Sequence, residues 1–98
     1  MGYKVFVHRK GDHVGVAVED LQAGERVGVV YLDDDSTGEL AVQEAVPLGH
    51  KVALVDLAPG QVVVEYGEAI GKATAAVRSG QHVHVHNLRS LRWSLEHA

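Results

Sequence analysis

The sequence predicts a mostly β domain, and three observations carry that expectation. Short runs of Val, Ile and Leu alternate with polar residues, as strands with one buried face require. Glycine occurs eleven times among 98 residues, which favours tight turns over helices. A turn-like unit then recurs at residues 20–27 (D-L-Q-A-G-E-R-V), 56–63 (D-L-A-P-G-Q-V-V) and 76–83 (A-V-R-S-G-Q-H-V).

Taken in order, strands are expected at residues 3–8, 14–19, 26–32, 39–46, 51–55, 62–66 and 82–86. In each copy of the repeat an apolar residue (Leu21, Leu57, Val77) stands three before a glycine (Gly24, Gly60, Gly80). Glu or Gln follows, and a valine comes two positions further on. This reads as a short helical turn stopped by a glycine with positive φ and followed by a new strand. The spacings of 36 and 20 residues are irregular, so the chain is not a solenoid. Residues 68–78 place Ile70, Ala73, Thr74 and Val77 at helical spacing but contain Gly71, and a strand leading into a short turn is the favoured reading. Asp33, Asp34 and Asp35, followed by Ser36, Thr37 and Gly38, read as a solvated hairpin loop, with a calcium-type oxygen site as the other reading. Near the C-terminus, Leu91, Trp93 and Leu95 fit a strand while Leu88, Leu91 and Leu95 fit a helix; Trp93 is read as a local core plug ahead of a docking anchor.

Composition bounds the function. A chain of 98 residues makes one small domain with a modest core. Hydrophobic residues at 46% and charged residues at 22% are ordinary for a globular chain. A net charge of −4 with no basic run argues against nucleic acid or an anionic membrane as a partner. The absence of cysteine excludes disulfides, thiolate metal sites and a cysteine nucleophile, leaving histidine and carboxylate as metal ligands. The N-terminus has no apolar run of the signal-peptide kind and no segment approaches a membrane span, so a cytoplasmic location is expected. Phosphate-loop, serine-elbow and dinucleotide fingerprints are missing as well.

The residues that bear chemistry gather at 81–88, Q-H-V-H-V-H-N-L, where His82, His84 and His86 alternate with Val83 and Val85. As a strand this puts three imidazoles on one face and two valines on the other. At roughly 3.4 Å per residue, neighbouring histidines of the row stand about 7 Å apart and the outer pair about 14 Å. One ion can then take two of the three, and a further ligand must come from elsewhere. His84 and His86 are the expected pair, because His82 directly follows the Gly80-Gln81 turn; His50 or His13 is the expected third ligand. A histidine-rich solvated strand face is the alternative. His8 and His97 have no supporting spacing.

The segments D-H-V-G-V-A-V (12–18), V-P-L-G-H-K-V-A-L (46–54), Y-G-E-A-I-G-K-A (66–73) and G-Q-H-V-H-V-H-N-L (80–88) together resemble the small N-terminal domain of the altronate and galactarate dehydratase family. The resemblance implies an SAF-type β-clip domain over residues 1–88, with 89–98 as a C-terminal tail. It implies association with a much larger dehydratase subunit, either as a free-standing small subunit or as an excised domain, and leaves a homo-oligomer open. It further implies a lyase that is inactive as the isolated chain, uses a divalent metal, Fe(II) or Mn(II), and acts on a sugar acid. Split small subunits of sulfolactate sulfo-lyases are similar, so water or sulfite could be the leaving group. Where the family usually has Asp-Asn-Val, this chain has Asp12-His13-Val14, so His13 replaces a turn-forming Asn or adds a ligand.

Elimination from a hydroxy acid needs a base for the proton beside the carboxylate and help for a poor leaving group. His50 and Lys51 of P-L-G-H-K are the catalytic candidates, Lys51 as a carboxylate anchor set against a solvated lysine. Being adjacent in a strand, the two are expected to face opposite sides. Asn87 is either a turn residue or a contact to a substrate hydroxyl, and Asp12 a turn residue before a substrate-binding one. A non-catalytic binding or assembly module is the competing function.

Overall fold

The computed structural model describes residues 2–90, and within them every regular element is a strand. A six-stranded sheet has the order β4-β3-β1-β2-β5-β8, from Thr37–Ala41 (β4), Arg26–Tyr31 (β3), Val5–Val7 (β1), Val14–Ala17 (β2), Lys51–Ala53 (β5) and His82–Val83 (β8). A three-stranded sheet is ordered β6-β7-β9, from Val62–Glu65, Glu68–Ala73 and Leu88–Ser90. The mostly β expectation is borne out. Strand β9 was not foreseen, and the boundary placed after residue 88 falls within it. Trp93, Leu91, Leu95 and His97 lie outside the described residues. Among those described, no helix is long and apolar enough to cross a membrane.

Alternation along the strands builds two cores. Val5, Val7, Leu21, Val27, Val29, Val46 and Val52 belong to one, and Val14, Ala53, Leu57, Val63, Val77 and Val83 to the other. Val52 and Ala53 are both fully buried but in different clusters, as neighbours on a strand with two covered faces must be. Strand β5 is therefore the partition between the two cores.

The short helical turns expected before Gly24, Gly60 and Gly80 are a correction: each is a four-residue β-turn. Glu25, Gln61 and Gln81 donate their N–H to the carbonyls of Gln22, Ala58 and Arg78, and the glycines take φ between 82° and 90°. A bond from the fourth residue to the first, with positive φ at the third, is the signature of a type II β-turn. A glycine with positive φ terminates a helix equally well, which is why the sequence pattern was ambiguous. The fourth residue's side chain completes the turn. Glu25 Oε1, Gln61 Oε1 and Gln81 Oε1 each accept the N–H of the first residue, at 2.7, 2.9 and 2.8 Å.

A fourth copy, unrecognised in the sequence, runs from Pro47 to His50, with the His50 N–H on the Pro47 carbonyl and Gly49 at φ 86°. The four turns are paired, since Leu21 bridges Val46 and Leu57 bridges Val77. Asp20 and Asp56 stand at equivalent places and accept the N–H of Leu48 and Ser79. Each turn also clasps one residue in or just past a strand through its glycine N–H and its fourth carbonyl: Val42, Ala17, Ala73 and Ala53 in chain order.

The acidic loop behaves as the solvated hairpin expected. It joins β3 to β4, with Asp34 accepting both the N–H and the hydroxyl of Ser36. Those bonds and Lys10 hold the Asp34 carboxyl below the usual carboxylate range.

Candidate functional site

Pro47 decides what the fourth turn can do. Proline has no backbone N–H, so the turn offers no donor for a side chain at position 50 to satisfy. His50 is thereby released, and its Nδ1 lies 2.8 Å from His82 Nε2. Strand pairing fixes the approach, because β5 and β8 run antiparallel with Lys51 opposite Val83 and Val52 opposite His82.

Beyond Val83 the chain leaves the strand, which corrects the expectation for residues 82–86. The N–H groups of Asn87 and Leu88 both bond the His84 carbonyl, closing a turn. Asn87 pins it from inside: its Oδ1 accepts the His84 N–H at 2.9 Å and its Nδ2 donates to the His82 carbonyl at 2.8 Å. Asn87 is buried, so both halves of its amide are spent on backbone. Val85, expected in the core, is 82% exposed on the turn. The His82 and His86 rings are 5.1 Å apart, far closer than an extended strand would allow.

The turn folds the row back over His50. His50 stacks on His84 with ring centroids 4.1 Å apart, and His82 lies 5.0 Å from His50 and 5.6 Å from His84. Ring nitrogens of His50, His82 and His84 all fall within 4.8 Å of one another, the first two half-buried and the third exposed. Of the expected metal ligands, His82 and His84 are brought together with His50. His86 flanks the trio through His82. His13 is elsewhere, its Nδ1 accepting the Val64 N–H at 3.0 Å while its own N–H and carbonyl bond Val64 and Leu54.

Electrostatics favour a neutral His82 ring. Burial first, and then the charges of His50, His86 and His84, push the His82 imidazole below its ordinary pKa, while Glu44 pulls the other way. Glu44 was not singled out in the sequence; its Oε2 accepts the His82 N–H at 2.9 Å. Across the 2.8 Å contact between His50 and His82 one ring nitrogen donates and the other accepts, the roles following from the tautomers.

A groove of about 220 Å³ opens beside the trio, walled by Gly49, His50, Lys51, His84, Val85 and Leu88. Both His50 and Lys51 line it, whereas strand alternation alone would have admitted one. Lys51 Nζ is 3.6 Å from Glu65 Oε1, an ion pair joining the two sheets. Asp12 is buried and stands apart from the trio, its carboxylate accepting the N–H groups of Arg9, Tyr66 and Gly67. That is the turn role, carried out between two loops.

Comparison with known proteins bears out the resemblance read from the sequence. Residues 3–91 match the family described as the altronate/galactarate dehydratase SAF domain. The chain is 40% identical over 94 residues to the (2R)-sulfolactate sulfo-lyase subunit alpha of Chromohalobacter salexigens, covering 95% of this chain and 100% of that subunit. It is 43% identical over 79 residues to altronate dehydratase of Escherichia coli, covering 81% of this chain but 15% of that enzyme. Galactarate dehydratase (L-threo-forming) of Escherichia coli is 35% identical over 72 residues, 12% of its length.

Proposed function

The chain belongs to the altronate/galactarate dehydratase SAF domain family, and from that premise we propose that it is the small subunit of a hydroxy-acid lyase. In this reading His50, His82 and His84 contribute to a site completed by a larger protein. The observation that carries it is the 2.8 Å approach of His50 to His82 beneath the His84 ring, in a turn whose proline frees the histidine. A match along the whole of a sulfo-lyase subunit alpha supports a separate small subunit, and the short match within altronate dehydratase supports a large partner body.

Both groups of relatives suggest one elimination. A proton leaves the carbon beside the carboxylate, the C–H electron pair becomes the new carbon–carbon double bond, and the bond to the substituent on the next carbon breaks with its own pair leaving on that substituent. Hydroxide or sulfite departs, and the enol tautomerises to a 2-keto acid. A neutral His82, held so by burial and its neighbours, can accept a proton at Nε2 or pass one to His50 Nδ1. Lys51, at the groove wall, anchors the substrate carboxylate once it swings from Glu65.

The donor set suits a divalent metal, since three imidazole nitrogens within 4.8 Å can converge on one ion after small ring rotations. Such an ion, Fe(II) or Mn(II) in this reading, would supply Lewis-acid stabilisation of charge on substrate oxygens. His50, His82 and His84 would hold it, with His86 adjacent and His13 committed to the backbone of β6.

The leaving group divides the proposal. Full-length correspondence favours the sulfo-lyase reading, with a sulfonated hydroxy acid as substrate, and sugar-acid dehydration is the second reading on the strength of the 43% identity. The test is reconstitution with the large partner and assay on sulfolactate and altronate. His50→Ala and His84→Ala are expected to lower kcat by at least ~100-fold with association intact. Turnover by the isolated chain would overturn the composite site, and unchanged kcat in both variants would leave an assembly module instead.

A further inference from the structure

A second cluster lies at the hairpin that joins β6 to β7, and the lyase reading does not use it. Glu65 pairs with Glu68, so Tyr66 and Gly67 form a two-residue loop, with φ of 57° and 73°. Positive φ at both central residues is the type I′ hairpin turn, where Asn-Gly is favoured and a tyrosine is strained. The buried Asp12 carboxylate enforces that conformation by accepting the N–H of both residues, at 2.9 and 3.3 Å. A strained tyrosine held by a buried carboxylate, yet itself 57% exposed, points to a use for the ring.

The ring carries an arginine. The Arg9 guanidinium carbon lies 4.9 Å from the Tyr66 ring centroid, and a Cβ at Gly67 would come within 2.7 Å of Arg9 Nη1. Glycine at 67 thus serves both the turn and the close approach of the guanidinium. The His8 ring is 5.0 Å from the Tyr66 ring, tilted by 54°. These three residues, with Leu32 and Asp33, line a shallow pocket of about 390 Å³. Among the described residues Arg9 has no carboxylate partner, although the chain holds 13 acidic residues against 9 basic ones. Asp33 in the same wall accepts the Lys10 N–H at 3.2 Å.

We propose that His8, Arg9 and Tyr66 form a binding site for a carboxylate. Placement over the ring restrains the guanidinium, so its N–H donors meet a two-oxygen acceptor with less entropy left to lose. The Asp33 charge opposes doubly charged anions and provides an acceptor for a hydroxyl next to the bound carboxylate. Such a carboxylate can belong to a free hydroxy acid or to an acidic side chain of another protein, and the two sources differ in what adjoins it.

The experiment is NMR titration of the full chain at constant ionic strength with sodium acetate, sodium lactate, acetyl-glutamate amide and sodium sulfate. Saturable shifts of the Arg9 Nε–H and the Tyr66 ring are expected with the carboxylates, weaker by roughly fivefold or more in Arg9→Gln and weaker for sulfate than for acetate. Lactate binding more tightly than acetyl-glutamate amide marks a free hydroxy acid, and the reverse marks a protein side chain. Tyr66→Asn relieves the strained loop, so it should keep or raise Tm while abolishing the shifts. Absence of saturation by any carboxylate to ~100 mM, or shifts unaltered in Arg9→Gln, overturns the proposal. A lowered Tm in Tyr66→Asn would assign the tyrosine to packing and overturn it as well.

Discussion

Turns 47–50 and 78–81 occupy equivalent places in the two turn pairs, and they differ in what the fourth side chain bonds. Each closes through its fourth N–H and clasps a strand alanine, Ala17 in one case and Ala53 in the other. In the second, Gln81 Oε1 is spent on the Arg78 N–H. In the first, Pro47 removes that donor and the fourth side chain is an imidazole 2.8 Å from His82. The contrast teaches that a scaffold position becomes a site position when the backbone stops needing its side chain. Under the proposed function, chemistry here is added by deleting a donor.

The contrast can be broken most severely at His50. His50→Gln places in turn 47–50 the residue that serves its counterpart, and should leave folding intact while weakening Mn(II) binding roughly 100-fold, measured by calorimetry. An undiminished affinity would mean that His50 is not a ligand. Asn87→Ala should do the opposite, harming stability foremost. It leaves the part-buried His84 N–H and His82 carbonyl without their partner, costing about 1–2 kcal/mol and lowering Tm by about 5–10 °C. Denaturant unfolding with an unaltered midpoint would remove Asn87 from this role.

Smaller effects test the caps themselves. Gln61→Ala and Gln81→Ala each release one exposed turn N–H and should cost about 0.5–1 kcal/mol in chemical denaturation. Pro47→Ala restores the missing donor and should cost no more than about 1 kcal/mol, part of it regained when His50→Gln is added. A double-mutant cycle with no coupling would show that the cap and the proline are unrelated.

The pH effect is the slightest. The His82 pKa is lowered by folding, so the unfolded chain binds more protons once pH falls below the ordinary imidazole value of about 6.5. Stability from this group is thus complete above that pH and declines below it until the folded pKa is passed. The slope of unfolding free energy between pH 7 and 5 should flatten in His82→Gln, and an identical slope would assign the dependence to other groups.

Much of the fold was legible because burial is periodic: β1 to β3 follow directly from alternating valines. The turns were legible as punctuation but not as type, since a glycine with positive φ ends a helix and occupies the third place of a type II turn alike. The glutamine or glutamate after each glycine was the distinguishing signal, as a side-chain acceptor for the first N–H. The copy at 47–50 was hidden because proline made that acceptor unnecessary. The histidine row misled for a related reason. Alternation over 82–86 satisfies a strand template, and a turn pinned by the Asn87 amide, drawing on groups up to five residues back, has no period to detect. Asp12 was expected as a turn residue before a substrate-binding one, and its partner loop 54 residues away left no local trace.

That long reach governs how the chain must fold. Asp12 bonds N–H groups 54 and 55 residues distant, the His13 ring bonds one 51 residues distant, and Lys4 caps the carbonyl of Gly28. High contact order of this kind places folding in the millisecond-to-second range, since loop closure must be met before the contacts reward it. The opening residues of the chain therefore wait for residues 64–67 before their loop is fixed, and a ribosome extending the chain at about 5–20 residues per second leaves them open for seconds. Amides at Val64, Tyr66 and Gly67 should accordingly gain hydrogen-exchange protection late and together, as one closing seam between early and late sequence.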